Sequence, residues 1–149
     1  MKLEKEIKHS KFRNEYHKLA VNVIYTNSWL TGLFSKLIDK YGITSNQFNI
    51  LRILRGQYPN PATINLLKDR MLDKMSDASR LVERLRKKGL VKRDLKPNDR
   101  RCVDVIISEK GLKLLAEIDK LNDQHDAMLK KLNVKEVKKI NSLLDKLRG

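Results

Sequence analysis

The chain has 149 residues, and its 33 Lys and Arg against 18 Asp and Glu give a formal net charge of +15. That length suits one domain. The 40% apolar content excludes a disordered basic tail, and the single cysteine excludes a disulfide framework. With no apolar run near the roughly 20 residues of a bilayer span and no signal-peptide pattern, the expectation is one cytoplasmic domain over 1–149 that meets a polyanion, nucleic acid ahead of an anionic membrane surface.

From about Lys11 to Lys40, Phe12, Tyr16, Leu19, Ala20, Val23, Ile24, Leu30, Phe34, Leu37 and Ile38 recur near helical spacing, and Gly42 ends the run. A helix this long exceeds what a compact domain needs and suggests an element that reaches across to a partner. Thr44-Ser45-Asn46-Gln47 has the capping-box form and opens a second helix with Phe48, Leu51 and Leu54 inward, for which Gly56 is the expected C-cap. Tyr58-Pro59-Asn60-Pro61 reads as a rigid connector. Thr63 then caps a short helix with Ile64, Leu67 and Met71 inward. The next helix runs from about Lys74 to Lys88 and ends at Gly89. Ala78, Leu81, Val82 and Leu85 form its inward stripe, with Ser76, Asp77, Ser79, Arg80 and Arg84 outside.

After Gly89 the period changes to two. Leu90–Leu95 and Cys102–Ile107 read as strands of a hairpin with a basic tip, Lys96 to Arg101. Ser108 caps a further helix carrying Leu112, Leu115, Ile118, Leu121 and Leu129. Asn133 and Glu136 form a second capping box for a last helix with Val137, Ile140, Leu144 and Leu147 inward. The fold class is therefore mainly α with a small β-hairpin wing, a winged helix-turn-helix between long N- and C-terminal helices.

The charge is not spread evenly. Arg84 to Arg101 carries nine basic and two acidic side chains, +7, whereas residues 1–83 carry +6 and residues 102–149 carry +2. A concentrated excess at a helix end and hairpin marks a docking surface for nucleic acid. In winged helix-turn-helix proteins the second helix of the pair lies in the major groove. Here that is the Lys74–Lys88 helix, where Ser76 and Ser79 allow close approach and Arg80 and Arg84 can neutralise phosphates or pair with guanine. Arg100 and Arg101 at the tip suit a narrow minor groove, and Asp99 suits the orientation of a neighbouring guanidinium.

Ser79-Arg80-Leu81-Val82-Glu83-Arg84-Leu85-Arg86-Lys87-Lys88-Gly89-Leu90-Val91-Lys92-Arg93 is similar to the recognition-helix-to-wing segment of the MarR family of bacterial transcription regulators. Asp99-Arg100-Arg101 resembles that family's wing signature, Ser108-Glu109-Lys110-Gly111 its next helix start, and Thr44 to Leu54 its second helix, so the resemblance covers about Thr44 to Leu115. It implies a homodimer whose helices at 11–40 and 112–149 interleave, while two winged modules at 44–111 straddle a pseudo-palindromic operator in duplex DNA. It also implies Asp99 orienting Arg101 into the minor groove, and Ser76, Ser79 and Arg80 on the recognition helix. A repressor role modulated by a small lipophilic or phenolic ligand follows from the same resemblance. Lys74-Met75, Asp77 and Asn60-Pro61 depart from the family pattern.

The aromatics Trp29, Phe34, Tyr41 and Phe48 read first as core or dimer packing, and are also where a ligand pocket is expected. Cys102 lies in a strand and reads as an apolar residue; relatives that sense peroxide place the thiol in the N-terminal helix. His9, His17 and His125 lack metal-ligand spacing, and no nucleophile-base arrangement or phosphate loop is present, so neither a metal, a cofactor nor an enzyme activity is expected. Two alternatives remain: a non-specific architectural protein that coats nucleic acid, and a winged helix used for protein contact.

Overall fold

The computed structural model describes residues 1–9, 11–95 and 103–149. In chain order its elements are α1 (Leu3–Glu6), α2 (Glu15–Ile38), a 3-10 turn (Asp39–Tyr41), α3 (Ser45–Gln57), β1 (Ala62–Thr63), α4 (Ile64–Arg70), α5 (Ala78–Lys87), β2 (Val91–Leu95), β3 (Val103–Ile107), α6 (Glu109–Asp119), α7 (Asn122–Ala127) and α8 (Val134–Arg148). The fold is mostly helical, with a three-stranded antiparallel sheet in the order β1-β3-β2. Residues 96–102, which carry the expected wing tip with Asp99, Arg100, Arg101 and Cys102, lie outside the described residues.

Side-chain caps set most helix starts. Thr44 and Gln47 form the reciprocal capping box of α3, Thr63 accepts from Leu66 N–H at the start of α4, and Asn133 with Glu136 caps α8. The first long helix begins at Glu15 rather than Lys11, because Asn14 is extended and its side chain accepts the His17 N–H at 2.9 Å. Gly42, at φ 67, takes the left-handed turn that closes this region. Gly56 is not a C-cap. It lies inside α3, which runs to Gln57 and is closed by the Tyr58 N–H on the Leu54 and Arg55 carbonyls.

Four further features differ from expectation. Residues 1–9 fold back on α2: Leu3 is buried, Glu4 pairs with Lys18 at 2.6 Å, and the Tyr25 hydroxyl donates to Glu6 at 2.9 Å. Ala62 and Thr63 add a third strand against β3, with Ala62 opposite Val105; two residues are too few to show a period. The helix expected to continue to Leu129 breaks after α6, where the Leu121 N–H reaches back only three residues to the Ile118 carbonyl. On α8, Val137, Ile140 and Leu147, expected inward, are exposed, as are Val134 and Leu143, while Leu144 is half-buried.

The core is built around α3. Ile50, Leu51 and Leu54 pack with Ile38 of α2, Leu67 of α4, Ala78, Val82 and Leu85 of α5, Val105 and Ile107 of β3, and Leu115 and Ile118 of α6. Each fully buried Leu or Ile contributes about 1.5–3 kcal/mol. At the strand-to-helix corner, Ser108 caps α6 by accepting the Gly111 N–H at 3.1 Å and donates to the Gly89 carbonyl at 2.7 Å. Gly111 is buried so tightly that an added Cβ would sit 2.4 Å from the Leu90 carbonyl oxygen and 2.7 Å from Ile107 Cγ1. An ion-pair group ties α6 to α3: Asp119 accepts two bonds from Arg55, at 2.6 and 3.2 Å, and one from Arg52 at 3.3 Å. The Arg55 hydrogen bonds, then the Arg55 and Arg52 charges, hold the Asp119 carboxyl below the usual carboxylate range.

Three substitutions test these features. Gly111→Ala lowers stability by about 1–3 kcal/mol through backbone overpacking. Gly56→Ala, which meets nothing within 4 Å, raises it by about 0.5–1 kcal/mol because the site is helical. Urea midpoints check both, and a destabilised Gly56→Ala would contradict the helix running past it. Because the folded-state pKa of Asp119 is lowered, its contribution is present above the unfolded value of about 3.9 and is lost as pH falls through the folded value. The stability gap between wild type and Asp119→Asn is therefore full at neutral pH and closes on acidification below about pH 4. A gap that widens in acid would contradict the assignment.

Candidate nucleic-acid interface

The amphipathic α5 presents two unlike faces. Ala78, Val82 and Leu85 are fully buried and Leu81 is half-buried, while Ser79, Arg80, Arg84, Arg86 and Lys87 are exposed. A 100° turn per residue spreads Ser79, Arg80 and Arg84 over about 140° of the helix surface, on the side away from the apolar stripe. The face holds two cations and a small hydroxyl, a set able to approach a phosphate backbone and hydrogen-bond to base edges.

The helix starts at Ala78, not at Lys74, because two carboxylates act in succession. Asp73 accepts the Met75 N–H at 3.0 Å, the Ser76 hydroxyl at 2.7 Å and the Asn46 amide at 3.0 Å. Asn46 also donates to Ser76 Oγ at 2.7 Å. These bonds, Ser76 first, hold the Asp73 carboxyl below the usual range. The chain then reopens, and Asp77 becomes the N-cap by accepting the Arg80 N–H at 3.0 Å. Ser76 and Asp77, expected on the outer face of the helix, thus precede it. Ser76 is tied back toward α3, and the carboxylate of Asp77 is occupied by the helix's own N–H.

Sequence reasoning passed over Glu83, Arg86 and Arg93. Glu83 accepts from Arg86 at 2.8 and 3.0 Å and lies 3.6 Å from Arg93 of β2, which links α5 to the sheet. The Arg86 hydrogen bond, then nearby positive charge, lowers the Glu83 carboxyl. The i, i+3 spacing of Glu83 and Arg86 was a visible signal for that pair. The pairing with Arg93 needed the fold.

The four expected pocket aromatics separate. Phe34 of α2 and Phe48 of α3 meet with ring centroids 5.0 Å apart, and His125 of α7 stands edge-on to Phe34 at 5.3 Å. They line a crevice of about 290 Å³ with Arg52, Leu121 and Ile118. Trp29 is not part of it: five residues before Phe34, it faces about 140° away on α2 and is 39% exposed. Tyr41 turns toward α6 and donates to the Glu117 carbonyl at 3.4 Å. His125, weighed in sequence only as a metal ligand, is remote in the chain from Phe34, and Arg52, one turn after Phe48 on α3, was not singled out. Among the described residues, no cluster of three His, Cys, Asp or Glu side chains could hold a metal ion, and no helix is long and apolar enough to cross a membrane.

Comparison with known proteins bears on this architecture. The model of the MarR family matches residues 43–103, from the end of the turn after α2 to the start of β3. Over 94 residues the chain is 29% identical to the transcriptional repressor MprA of Escherichia coli strain K12, covering 63% of this chain and 52% of that protein. The chain thus spans about half the length of that relative. Over 114 residues it is 28% identical to the HTH-type transcriptional regulator MhqR of Bacillus subtilis, covering 76% of this chain and 77% of that protein. It is similar in structure to a mutant MarR from Escherichia coli complexed with operator DNA, with a TM-score of 0.78, 28% identity and coverage of 93% of this chain and 99% of that chain. The helix-turn-helix and the strand after it thus match the model of the MarR family, and the likeness to the MarR winged-helix fold extends over nearly the whole length.

Proposed function

We propose that the chain is a transcriptional regulator that binds duplex DNA sequence-specifically as a homodimer. The observation that carries this reading is the outer face of α5, where Ser79, Arg80 and Arg84 stand exposed above a fully buried apolar stripe. In this reading these three residues enter the major groove, and Asp99, Arg100 and Arg101 of the wing reach the adjacent minor groove. Ser76 and Asp77 act one step back, by fixing where the helix begins. Operator DNA bound to the related Escherichia coli MarR supports the same docking.

The dimer is proposed from surface that one chain leaves open. Tyr16, Leu19, Val23 and Ile24 on α2, and Val134, Val137, Ile140, Leu143 and Leu147 on α8, are exposed. A second copy can cover such faces, and residues 102–149 carry a net charge of only +2 against it. The regions 11–40 and 112–149 then serve as dimerisation helices and 44–111 as the DNA-binding module. A repressor role, as in MprA, and response to a small lipophilic or phenolic effector complete the reading. The Phe34–Phe48–His125 crevice offers ring-stacking walls, with Arg52 available for a phenolate or carboxylate. It abuts α3, which packs on α5, so an occupant that displaces Phe48 acts on the recognition helix.

A non-specific coat would need charge alone, and its binding would fall with salt without sequence preference. The mixed face of α5 disfavours it, and a purely protein-binding winged helix has no use for two exposed arginines there. Selection from random duplexes is expected to return a pseudo-palindrome with half-sites about one helical turn, roughly 10 bp, apart. Arg80→Ala is expected to weaken binding to that duplex by about 1–3 kcal/mol per half-site, and Lys2→Ala to leave it unchanged. A selection that enriches no dyad, or equal effects of the two variants, would contradict the proposal.

A further inference from the structure

The four residues that lead into α5 differ in what their side chains already do. The Lys74 ammonium donates to the Asp69 carbonyl in α4. Ser76 is bonded to Asp73 and Asn46, and Asp77 caps Arg80. Met75 alone among the four is projected without a hydrogen bond, with 94% of its surface exposed. Its backbone is nevertheless fixed, because its N–H is held by Asp73 at 3.0 Å. Leu72, 87% exposed on the same turn, belongs elsewhere: it lines the crevice beside Phe48, and its N–H is held by Asn49.

A single exposed methionine is ordinary surface. This one is held on a rigid turn two residues before the N-cap of the helix assigned to the major groove, at the end of such helices that reaches base edges. It brings no charge and no donor to a place where polar residues would read hydrogen-bonding groups. The major-groove edge offers one apolar group, the C5-methyl of thymine. An unbranched thioether is long and adaptable enough to cover it. We infer that Met75 is a specificity-determining residue that reads a thymine methyl in each half-site. The inference rests on the DNA-binding reading above and deepens it.

The test uses the intact chain and the duplex enriched by selection, with uracil replacing thymine one position at a time. Uracil keeps every hydrogen-bonding group and lacks only the methyl. One symmetry-related thymine per half-site is expected to lose about fourfold in affinity on that replacement. Met75→Ala is expected to bind the thymine duplex about fourfold more weakly per half-site and to bind thymine and uracil duplexes alike at that position. Met75→Leu keeps the discrimination. The side chain packs on nothing it would abandon, so these variants fold as the parent does. Wild-type protein indifferent to uracil at every position, a preferred half-site without thymine, or full methyl discrimination by Met75→Ala would each overturn the assignment. Those results leave DNA binding standing. Failure to enrich any duplex removes that reading and the role of Met75 with it.

Discussion

The carboxylate of Asp73 collects hydrogen bonds from the Met75 backbone, the Ser76 hydroxyl and the Asn46 amide, and so fastens the turn before α5 to the first turn of α3. Much of the presented surface depends on that knot. With Ser76 drawn inward, the chain begins its helix at Ala78 under the Asp77 cap. From there the helical phase is set: Ala78, Val82 and Leu85 go to the core, and Ser79, Arg80 and Arg84 go out. A start displaced by one residue would rotate the helix by about 100° and aim a different set at the core. The buried stripe resists that rotation, and the knot determines which side chains lead into the helix. Met75 is left exposed by the same bonds that occupy Ser76.

Where a helix start depended on one local motif, it was legible in the sequence. Thr44 with Gln47, Thr63, Ser108 and Asn133 with Glu136 all cap the helices expected of them. The start of α5 was not, because Asp73 and Asp77 both have the chemistry of a cap, four residues apart. Only the position of Asn46, from another helix, decides between them. The same gap separates Phe34 and Phe48, which meet across α2 and α3, from His125, which reaches their crevice from far along the chain. Gly56 misled because glycine is tolerated inside a helix as well as after one, and the Tyr58 N–H, not the glycine, closes α3. The strand at Ala62–Thr63 has too few residues to carry a period and exists through its pairing with β3. The wing arginines lie outside the described residues, and their role rests on the family resemblance.

The net charge of +15 takes on a direction from this architecture. Its densest block, Arg84 to Arg101, begins on the outer face of α5 and continues into β2. Part of it is internally balanced, since Glu83 engages both Arg86 and Arg93, while Arg80 and Arg84 stay exposed at the proposed reading face. The long helices have the opposite character. Each exposes a set of large apolar side chains, Tyr16, Leu19, Val23 and Ile24 on α2 and Val134, Val137, Ile140, Leu143 and Leu147 on α8, which suits a second copy of the chain better than a polyanion. Asp119, held by Arg52 and Arg55, joins one of the C-terminal helices to the centre of the winged module. A crevice between these parts is therefore in mechanical contact with α3 and, through it, with α5.

Asp73→Ala tests the central claim most directly, because simple charge and the turn geometry predict opposite signs. Deleting an anion beside a DNA-binding surface strengthens binding to a polyanion if only charge matters. The Asp73 knot predicts the reverse for the selected duplex: affinity about tenfold weaker, through lost order of the turn and helix start, with binding to random duplex undiminished. Affinity for the selected duplex that is equal to or tighter than wild type, measured beside random duplex at the same salt, would contradict the account.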